Sequence, residues 1–339
     1  MDFRQMLADP AVTEEFLDRF DELADSASTR IGGLEGLGKG QRVDRARAAV
    51  QSMLEGTWES QDPGLEAIIE RFTRPVYLVQ DGRFAPSPDG FPECSVIATT
   101  FEAARARLEP AITGTGRVDL RNHRKVWVGT GWLVAPTVVV TARHVAEEFA
   151  ERDGKGFAFR LNYEHRRVSA CIDWRAEHHR STESRFLVEE VLWMEPSSSF
   201  ADVALLRIAS TGEQGETLPG HLGLMSSKEI TSAGVGAWIA VIGYPNRDSR
   251  YHDVEDQQRI FDGIYNVKRL APGQISAIVG DKLLHYDATT LGGNSGSAVV
   301  DLSTGKAAAL HFGGVRGQRN VGVLAPVVHR IVDKHAGGG

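Results

Sequence analysis

Cysteine is scarce in this sequence, with only Cys94 and Cys171 among 339 residues. Extracellular domains that depend on disulfides carry many more cysteines, so a framework of disulfide bonds is excluded. The first residues show no basic segment followed by an apolar core, and we expect no signal peptide. Both cysteines are therefore expected to be buried apolar residues of a cytoplasmic protein.

Long apolar runs are also missing, and none approaches the ~20 residues that a membrane-spanning helix needs. Positive charge is in deficit, because 38 Lys and Arg stand against 45 Asp and Glu, for a net charge of −7. Such a chain is not suited to nucleic acid or to an anionic membrane surface. Glycine is abundant, with 36 residues, and favours a soluble fold rich in turns and β-strands.

A glycine-rich turn near the C-terminus carries the first candidate for chemistry. The segment 292–297, Gly-Gly-Asn-Ser-Gly-Ser, stands between a strand-like run at 282–286 and an apolar run at 298–300. Glycines around one serine let backbone N–H groups point outward beside an exposed hydroxyl. Acyl transfer needs both features, a hydroxyl that attacks a carbonyl and donors for the oxyanion that forms. Alone, the segment is more typical of an ordinary hairpin turn.

Two further segments supply a histidine and an aspartate. Residues 129–146 contain Gly-Thr-Gly-Trp and then Thr-Ala-Arg-His-Val, two β-rich runs that end at His144. Residues 201–208, Ala-Asp-Val-Ala-Leu-Leu-Arg-Ile, place Asp202 ahead of a buried-looking strand. With the glycine-rich turn, these segments resemble the three signature segments of trypsin-like (chymotrypsin-fold) serine peptidases. They are similar in particular to those of the bacterial glutamyl endopeptidases.

The resemblance extends over roughly residues 120–335 and implies a mainly β fold. Its expected architecture is two six-stranded antiparallel β-barrels within a peptidase domain at 121–335, the first at about 121–225 and the second at about 233–335. The charged segment 151–185 is expected to be a solvated loop on the first barrel. His165, His178 and His179 in it lack a second cluster of ligands, so no metal site is predicted.

An additional module is expected ahead of the barrels. Apolar residues at three-to-four spacing predict helices over 2–28, 42–56 and 64–73, which together form an N-terminal α-helical module at 1–75. The segment 76–120, with a short strand and a helix around residues 101–108, is expected to connect it to the first barrel.

The resemblance implies a role for each candidate residue. Ser295 is the expected nucleophile, His144 the base that takes its proton, and Asp202 the carboxylate that orients the imidazole. The backbone N–H groups of Gly293 and Ser295 are expected to form the oxyanion hole. Asp173 is a competing third member, although the family places its aspartate before a Val-Ala-Leu-Leu strand, as Asp202 is placed.

Substrate preference follows from the same resemblance. In glutamyl endopeptidases a threonine five residues before the nucleophile and a histidine in a His-Trp-Gly-Gly-like segment hold the substrate carboxylate. Thr290 and His311 match these positions, and Phe312 and Gly313 continue the second segment. Cleavage after Glu is expected, with Asp as the less preferred residue. The alternative is that Thr290 and His311 are structural and that a small or apolar residue is accepted.

The sequence therefore predicts a bacterial-type serine endopeptidase that acts on polypeptides and needs no cofactor or metal. The segment 310–313 is expected to pair with the substrate backbone as an added strand. The module at 1–75 or the charged segment 246–262 is a candidate for gating access or recruiting a protein partner. The alternative from another class is a catalytically silent, peptidase-like scaffold that only binds peptides.

Overall fold

The computed structural model describes residues 13–14, 17, 20, 39–55, 76–85, 95–247, 260–315 and 319–336. The contacts divide the chain into two units. The smaller unit comprises Met1–Val76, Pro86–Ala103 and Asp248–Ile264, and the larger comprises Tyr77–Ala85, Ala104–Arg247 and Tyr265–Gly339. Among the described residues, every helix is too short or too polar to cross a membrane.

The smaller unit contains helix α1, Lys39–Glu55. Its buried side chains recur at helical spacing along one face, as expected for an amphipathic helix: Ala46, Ala49 and Val50. The predicted helix at 42–56 corresponds to α1. Of the predicted helix at 2–28 the structure describes only positions 13, 14, 17 and 20, which are helical. The predicted helix at 64–73 lies outside the described residues, so the module at 1–75 stays a prediction.

Two short strands and a long helix precede the barrels. Strands β1 (Tyr77–Gln80) and β2 (Arg83–Phe84) form a hairpin, and helix α2 runs over Ser95–Thr113. The helix predicted around residues 101–108 is therefore about twice as long. Its residues 95–103 belong to the smaller unit and the others to the larger.

The strands of the first half are β3 Thr115–Arg121, β4 Trp127–Ala135, β5 Val138–Thr141, β6 Ala150–Asp153, β7 Gly156–Phe159, β8 Ser169–Asp173, β9 Arg185–Met194 and β10 Ala204–Ile208. Six of them close an antiparallel barrel in the order β10-β5-β4-β3-β8-β9, and β6 and β7 form a separate hairpin. Strand β5, a β-branched run, is buried at every position, which is typical of a strand covered on both faces.

The strands of the second barrel are β11 Trp238–Gly243, β12 Arg269–Val279, β13 Leu283–Tyr286, β14 Ala298–Asp301, β15 Ala307–Val315 and β16 Arg319–Leu324. This barrel is also closed, because β11 pairs with both β14 and β12 and completes the circuit β11-β14-β15-β16-β13-β12. Strand β1 pairs with the start of β12. The predicted fold class, mainly β with two six-stranded antiparallel barrels, is confirmed.

Three shorter helices accompany the barrels. Helix α3, Arg143–Ala146, follows β5, and helix α4, Ser227–Ala233, lies between the two barrels in the sequence. Helix α5, Ala325–His335, follows the last strand. It buries one face against β15 and β16 through Val327, Val328 and Ile331.

Two expectations about the first barrel need correction. Strand β3 already belongs to the barrel, so the barrel begins at Thr115, inside the segment 76–120 that the sequence suggested as a connection. The segment 151–185 is not a loop, because it contains hairpin strand β7 and barrel strand β8. Its many charged residues predict a solvated segment, although the short apolar run at 170–172 is buried in the barrel. The predicted polar segment 246–262 is described only at 246–247 and 260–262.

Candidate active site

His144 and Asp202 are neighbours because of how two strands pair. In the antiparallel pair of β5 and β10, Thr141 stands opposite Ala204. Residues that follow Thr141 therefore lie beside residues that precede Ala204. Helix α3 begins directly after β5, and this change of direction brings His144 next to Asp202 at one end of the strand pair.

The Asp202 carboxylate holds both the ring and the backbone of His144. Its Oδ2 lies 2.6 Å from Nδ1 of the imidazole, and its Oδ1 accepts a hydrogen bond of 3.1 Å from the His144 backbone N–H. Because an ionised carboxylate can only accept, Nδ1 carries the proton and Nε2 keeps a free lone pair. Burial raises the pKa of Asp202, but the hydrogen bonds and charge of His144, with the charge of Arg143, outweigh burial and lower it overall.

Asp173, the competing candidate, has other partners. Its Oδ1 accepts hydrogen bonds from the backbone N–H groups of Arg175 at 2.9 Å and Ser184 at 3.0 Å, and the residue is buried on β8. Asp173 thus fixes the turn between β8 and β9, whereas Asp202 contacts His144.

The turn that carries Ser295 depends on two glycines. Gly293 and Gly296 have φ values of +90° and +89°, a region that residues with a side chain rarely adopt. A Cβ on Gly296 would overlap the carbonyl oxygen of Thr130, and one on Gly293 would overlap that of Tyr244. Conformation and space therefore both demand glycine on each side of the serine.

Strand β4 of the first barrel anchors this turn of the second barrel. The Thr130 backbone N–H donates to the Ser295 carbonyl at 2.9 Å, and the Thr130 hydroxyl donates to the Gly293 carbonyl at 2.9 Å. A Cβ on Gly129 would lie 2.6 Å from Val145 Cγ2 and 2.9 Å from the Ser295 oxygen. The residue after His144 and the serine backbone therefore approach the same point of β4. No role was predicted for Thr130, although its position between two glycines of a strand indicates a close approach of another backbone.

The amides of the turn divide into two groups. Those of Asn294, Gly296 and Ser297 donate to carbonyls of Leu291, His311 and Asn294, respectively. Among the hydrogen bonds of the described residues, none comes from the amides of Gly293 and Ser295, the two predicted oxyanion donors. Nor does one join the Ser295 hydroxyl to His144.

The predicted substrate-binding residues lie on and beside β13, β15 and β16. The imidazole of His311 is buried, and its Nδ1 lies 2.5 Å from the hydroxyl of Tyr286 on β13. Burial, and secondarily the charge of His144, lowers the pKa of His311 to about 3. The hydroxyl of Thr290 donates to Oδ1 of Asn320 at 2.6 Å. Tyr286 and Asn320 are partners that the sequence analysis missed.

Phe312 and Gly313 lie at a register shift in the pairing of β15 with β16. Phe312 packs against the apolar core of the first barrel. Around Gly313 the space is open, because a Cβ there would meet no atom within 4 Å. This part of β15 therefore has room beside its backbone.

A metal site finds no support in the part of the chain that the structure describes. It holds no group of three or more His, Cys, Asp or Glu side chains placed to bind an ion. The rings of His178 and His179 contact each other, with centroids 3.7 Å apart and planes tilted by 47°. Cys171 is a free, buried thiol, whose burial raises its pKa to about 12, and Cys94 lies outside the described residues.

Several known proteins are similar to this chain. A family model for a trypsin-like peptidase domain matches residues 129–310, which include His144, Asp202 and Ser295. A probable serine protease of Lysobacter enzymogenes is 31% identical over 277 residues, 75% of this chain and 70% of that protein. The crystal structure of a serine endoprotease from Yersinia pestis aligns with a TM-score of 0.45 and 17% identity, over 70% of this chain and 67% of that one.

Proposed function

Since this chain belongs to the trypsin-like peptidase family and is a serine endopeptidase, we propose that Ser295, His144 and Asp202 form its catalytic triad. The observation that carries the proposal is the contact between Asp202 and His144 Nδ1. It leaves the Nε2 lone pair as the base that a serine nucleophile needs. The anchoring of the serine turn on β4, next to Val145, supports a short path from Ser295 to that imidazole.

In the proposed reaction the Ser295 hydroxyl attacks the carbonyl carbon of the scissile peptide and passes its proton to His144 Nε2. The oxyanion accepts hydrogen bonds from the amides of Gly293 and Ser295, and Asp202 stabilises the imidazolium. The C–N bond then breaks as the imidazolium returns the proton to the leaving amine, which gives an acyl-enzyme. Water attacks this ester by the same route and releases the acid.

The substrate is a polypeptide, and we place its backbone along β15 beside Phe312 and Gly313. The open space at Gly313 favours this placement, and a strand added to a sheet edge is a common mode of peptide binding. For the residue before the cut we propose a side chain of glutamate length whose terminal oxygen accepts from His311. The sequence predicts glutamate, with aspartate second, and glutamine has the length of glutamate.

We further propose that the enzyme works in the cytoplasm and that the module at 1–75 regulates it by binding a protein partner or by gating the site. The free, buried thiol of Cys171 is compatible with a reducing compartment. Limited proteolysis that removes residues 1–75 should change the rate of peptide cleavage. An unchanged rate would contradict the gating role.

The triad is tested by labelling the full chain with a fluorophosphonate, which reacts with an activated serine. We expect labelling of the wild type at Ser295, no labelling of Ser295→Ala, and peptide cleavage only by the wild type. Labelling at another residue, or cleavage that persists in Ser295→Ala, would contradict the assignment. Peptide binding without labelling would instead support the silent scaffold.

A further inference from the structure

The hydroxyl of Tyr286 determines which nitrogen of His311 carries the proton. Burial raises the pKa of Tyr286 well above its ordinary value, so the phenol keeps its proton. A buried hydroxyl must donate to an acceptor, and the Nδ1 of His311 lies 2.5 Å away. Nδ1 is therefore the unprotonated nitrogen, and Nε2 bears the hydrogen of the neutral ring.

His311 consequently offers a hydrogen-bond donor without a positive charge. The residue is 4% exposed, and its burial opposes protonation, as does the proximity of His144. Because the Tyr286 hydroxyl already donates to Nδ1, protonation of Nδ1 would also place its hydrogen against the hydroxyl hydrogen. The imidazole acts as a neutral N–H group.

The Asn320 amide fixes the polarity of Thr290. The Nδ2 of Asn320 donates to the backbone carbonyl of Ala288, which can only accept. The amide is thereby oriented with Oδ1 toward Thr290, whose hydroxyl donates to it at 2.6 Å. With its hydrogen engaged, Thr290 Oγ1 presents lone pairs and acts as an acceptor.

The two pairs belong to one part of the second barrel. Tyr286 stands directly opposite Asn320 in the pairing of β13 with β16, and His311 stands opposite Gly322 in the pairing of β15 with β16. One fixed donor, His311 Nε2–H, and one fixed acceptor, Thr290 Oγ1, therefore belong to the same part of the second barrel.

We propose that this donor and this acceptor line one pocket, which selects glutamine over glutamate in the residue before the cut. The carboxamide oxygen accepts from His311 Nε2–H, and the carboxamide NH₂ donates to Thr290 Oγ1. Glutamate has the same shape, but its second oxygen would face the lone pairs of Thr290, and the neutral ring of His311 would not balance its charge. The inference rests on the proposed function, since it assigns the substrate of that site.

Rotation of the Thr290 hydroxyl does not remove this selectivity. If Thr290 turned its hydrogen toward a carboxylate, Oδ1 of Asn320 would lose its hydrogen-bond donor. An acceptor without a donor in a partly buried site raises the free energy of the complex. Sites built to hydrogen-bond one polar group discriminate strongly against an analogue that leaves their own groups unpaired. Tyr286 and Asn320 thus act as positioning residues for His311 and Thr290.

The first test compares peptides that differ only in Gln, Glu or Met before the cut, with the full-length wild type at neutral pH. We expect kcat/KM for Gln to exceed that for Glu at least about tenfold, with Met, an uncharged side chain of similar length, in between. Equal or faster cleavage after Glu would overturn the inference, as would the fastest cleavage after Met.

Variants connect this preference to the hydrogen bonds. Tyr286→Phe frees the tautomer of His311 and should lower the Gln-to-Glu ratio at least about tenfold, and Thr290→Val should also lower it. Thr290→Ser keeps the hydroxyl and should preserve the ratio. Tyr77→Phe is the matched control, because it removes the hydroxyl of another buried tyrosine, on β1, and should leave the ratio unchanged. An unchanged ratio in Tyr286→Phe would contradict the role of Tyr286.

Binding separates this inference from the proposed function. The same Gln and Glu peptides are titrated into Ser295→Ala by calorimetry, so that the result does not depend on catalysis. Tighter binding of the Gln peptide supports the pocket even if Ser295 proves not to be the nucleophile. Equal binding, combined with fluorophosphonate labelling of wild-type Ser295, would refute the pocket and leave the triad standing.

Discussion

The two barrels each bring one imidazole to the site, and they treat it in opposite ways. In the first barrel, Nδ1 of His144 faces the Asp202 carboxylate, and 41% of the His144 side chain is exposed. In the second barrel, Nδ1 of His311 faces the Tyr286 hydroxyl, and the residue is 4% exposed. A carboxylate accepts and a phenol donates, so the two rings hold their protons on opposite nitrogens.

This difference shows how one residue type can serve two purposes. The acceptor partner leaves His144 Nε2 with a lone pair, which suits a base that takes a proton. The donor partner leaves His311 Nε2 with a hydrogen, which suits recognition of an oxygen. The partner on the far side of the ring, together with access to water, decides the chemistry of the near side.

Asp202→Asn should convert His144 to the tautomer that His311 adopts, with the proton on Nε2. Because Asp202 Oδ1 accepts the His144 backbone N–H, the oxygen of the new amide would keep that bond and its NH₂ would face Nδ1. The proton would move to Nε2, and the base would be lost. We expect kcat to fall about 10⁴-fold, as for a triad aspartate replaced by asparagine, measured with the best peptide substrate.

Asp173→Asn is the control for this variant. An asparagine oxygen can still accept from the amides of Arg175 and Ser184, so activity should change little. A large loss in Asp173→Asn with little loss in Asp202→Asn would reverse the assignment of the third triad member.

Lys268 ties the two barrels together, and its removal tests whether they depend on one another. Its buried Nζ donates to the carbonyls of Ile112 and Trp174 at 2.9 and 2.7 Å and lies 3.4 Å from the buried Glu177 carboxylate. Lys268→Met removes the fully buried cation beside that carboxylate and leaves the partly exposed Arg180, whose Nε lies 3.9 Å from it. We expect the free energy of unfolding in urea to fall by about 3 kcal/mol, the low end for breaking a buried ion pair.

Two variants control this measurement. Lys125→Met breaks an ion pair with Glu148 at the surface and should cost less than about 1 kcal/mol. The double variant Lys268→Met, Glu177→Gln also removes the charge of the buried carboxylate and should recover part of the loss. If Lys268→Met costs no more than Lys125→Met, the junction contributes little to stability.

The second imidazole should make the fold sensitive to acid. The folded-state pKa of His311, about 3, lies below its ordinary value of 6.5, so the unfolded chain binds a proton first as the pH falls. The stability that the neutral ring confers is complete above pH 6.5 and is lost between pH 6.5 and 3. By pH 4 the loss should reach roughly 3 kcal/mol.

His311→Phe isolates this effect, because it keeps a buried ring that cannot titrate. Between pH 7 and pH 4 the wild type should lose roughly 3 kcal/mol more unfolding free energy in urea than the variant. Parallel losses in the two proteins would show that His311 is not buried in its neutral form.

The sequence predicted the pair of His144 and Asp202 in the first barrel more fully than the hydrogen-bonded pairs of His311 and Thr290 in the second. Local segments around His144, Asp202 and Ser295 carry recognisable patterns, and the fold class follows from the same resemblance. Tyr286 and Asn320 carry none, although they lie 25 positions from His311 and 30 from Thr290, closer than the 58 positions between His144 and Asp202. Which strands meet, and in which register, decides such pairs, and no local pattern encodes it.

The start of the first barrel was missed for a related reason. Strand β3 alternates charged and apolar residues from 117 to 121, in the order Arg-Val-Asp-Leu-Arg. Arg117 and Asp119 form an ion pair at 2.6 Å, and both are largely buried. Charged residues that are typical of a surface segment therefore lie in the wall of the barrel. Only the pairing with β4 and β8 shows its place.

The smallest expected effect concerns the shape of the second barrel's pocket rather than its protons. Because a side chain at Gly313 would meet no atom within 4 Å, Gly313→Val should fold with unchanged stability. Its methyl groups would occupy the space that we assign to the substrate, so kcat/KM for peptides should fall about tenfold, mainly through KM.

Gly220→Val is the matched control, since a Cβ at Gly220 also meets no atom within 4 Å and the residue lies outside the site. Labelling of Ser295 by a small fluorophosphonate should be equal in both variants, because the triad is intact and the reagent does not extend along β15. If peptide cleavage is also equal, β15 does not border the substrate at Gly313. The second barrel would then recognise its substrate through His311 and Thr290 without a backbone strand beside them.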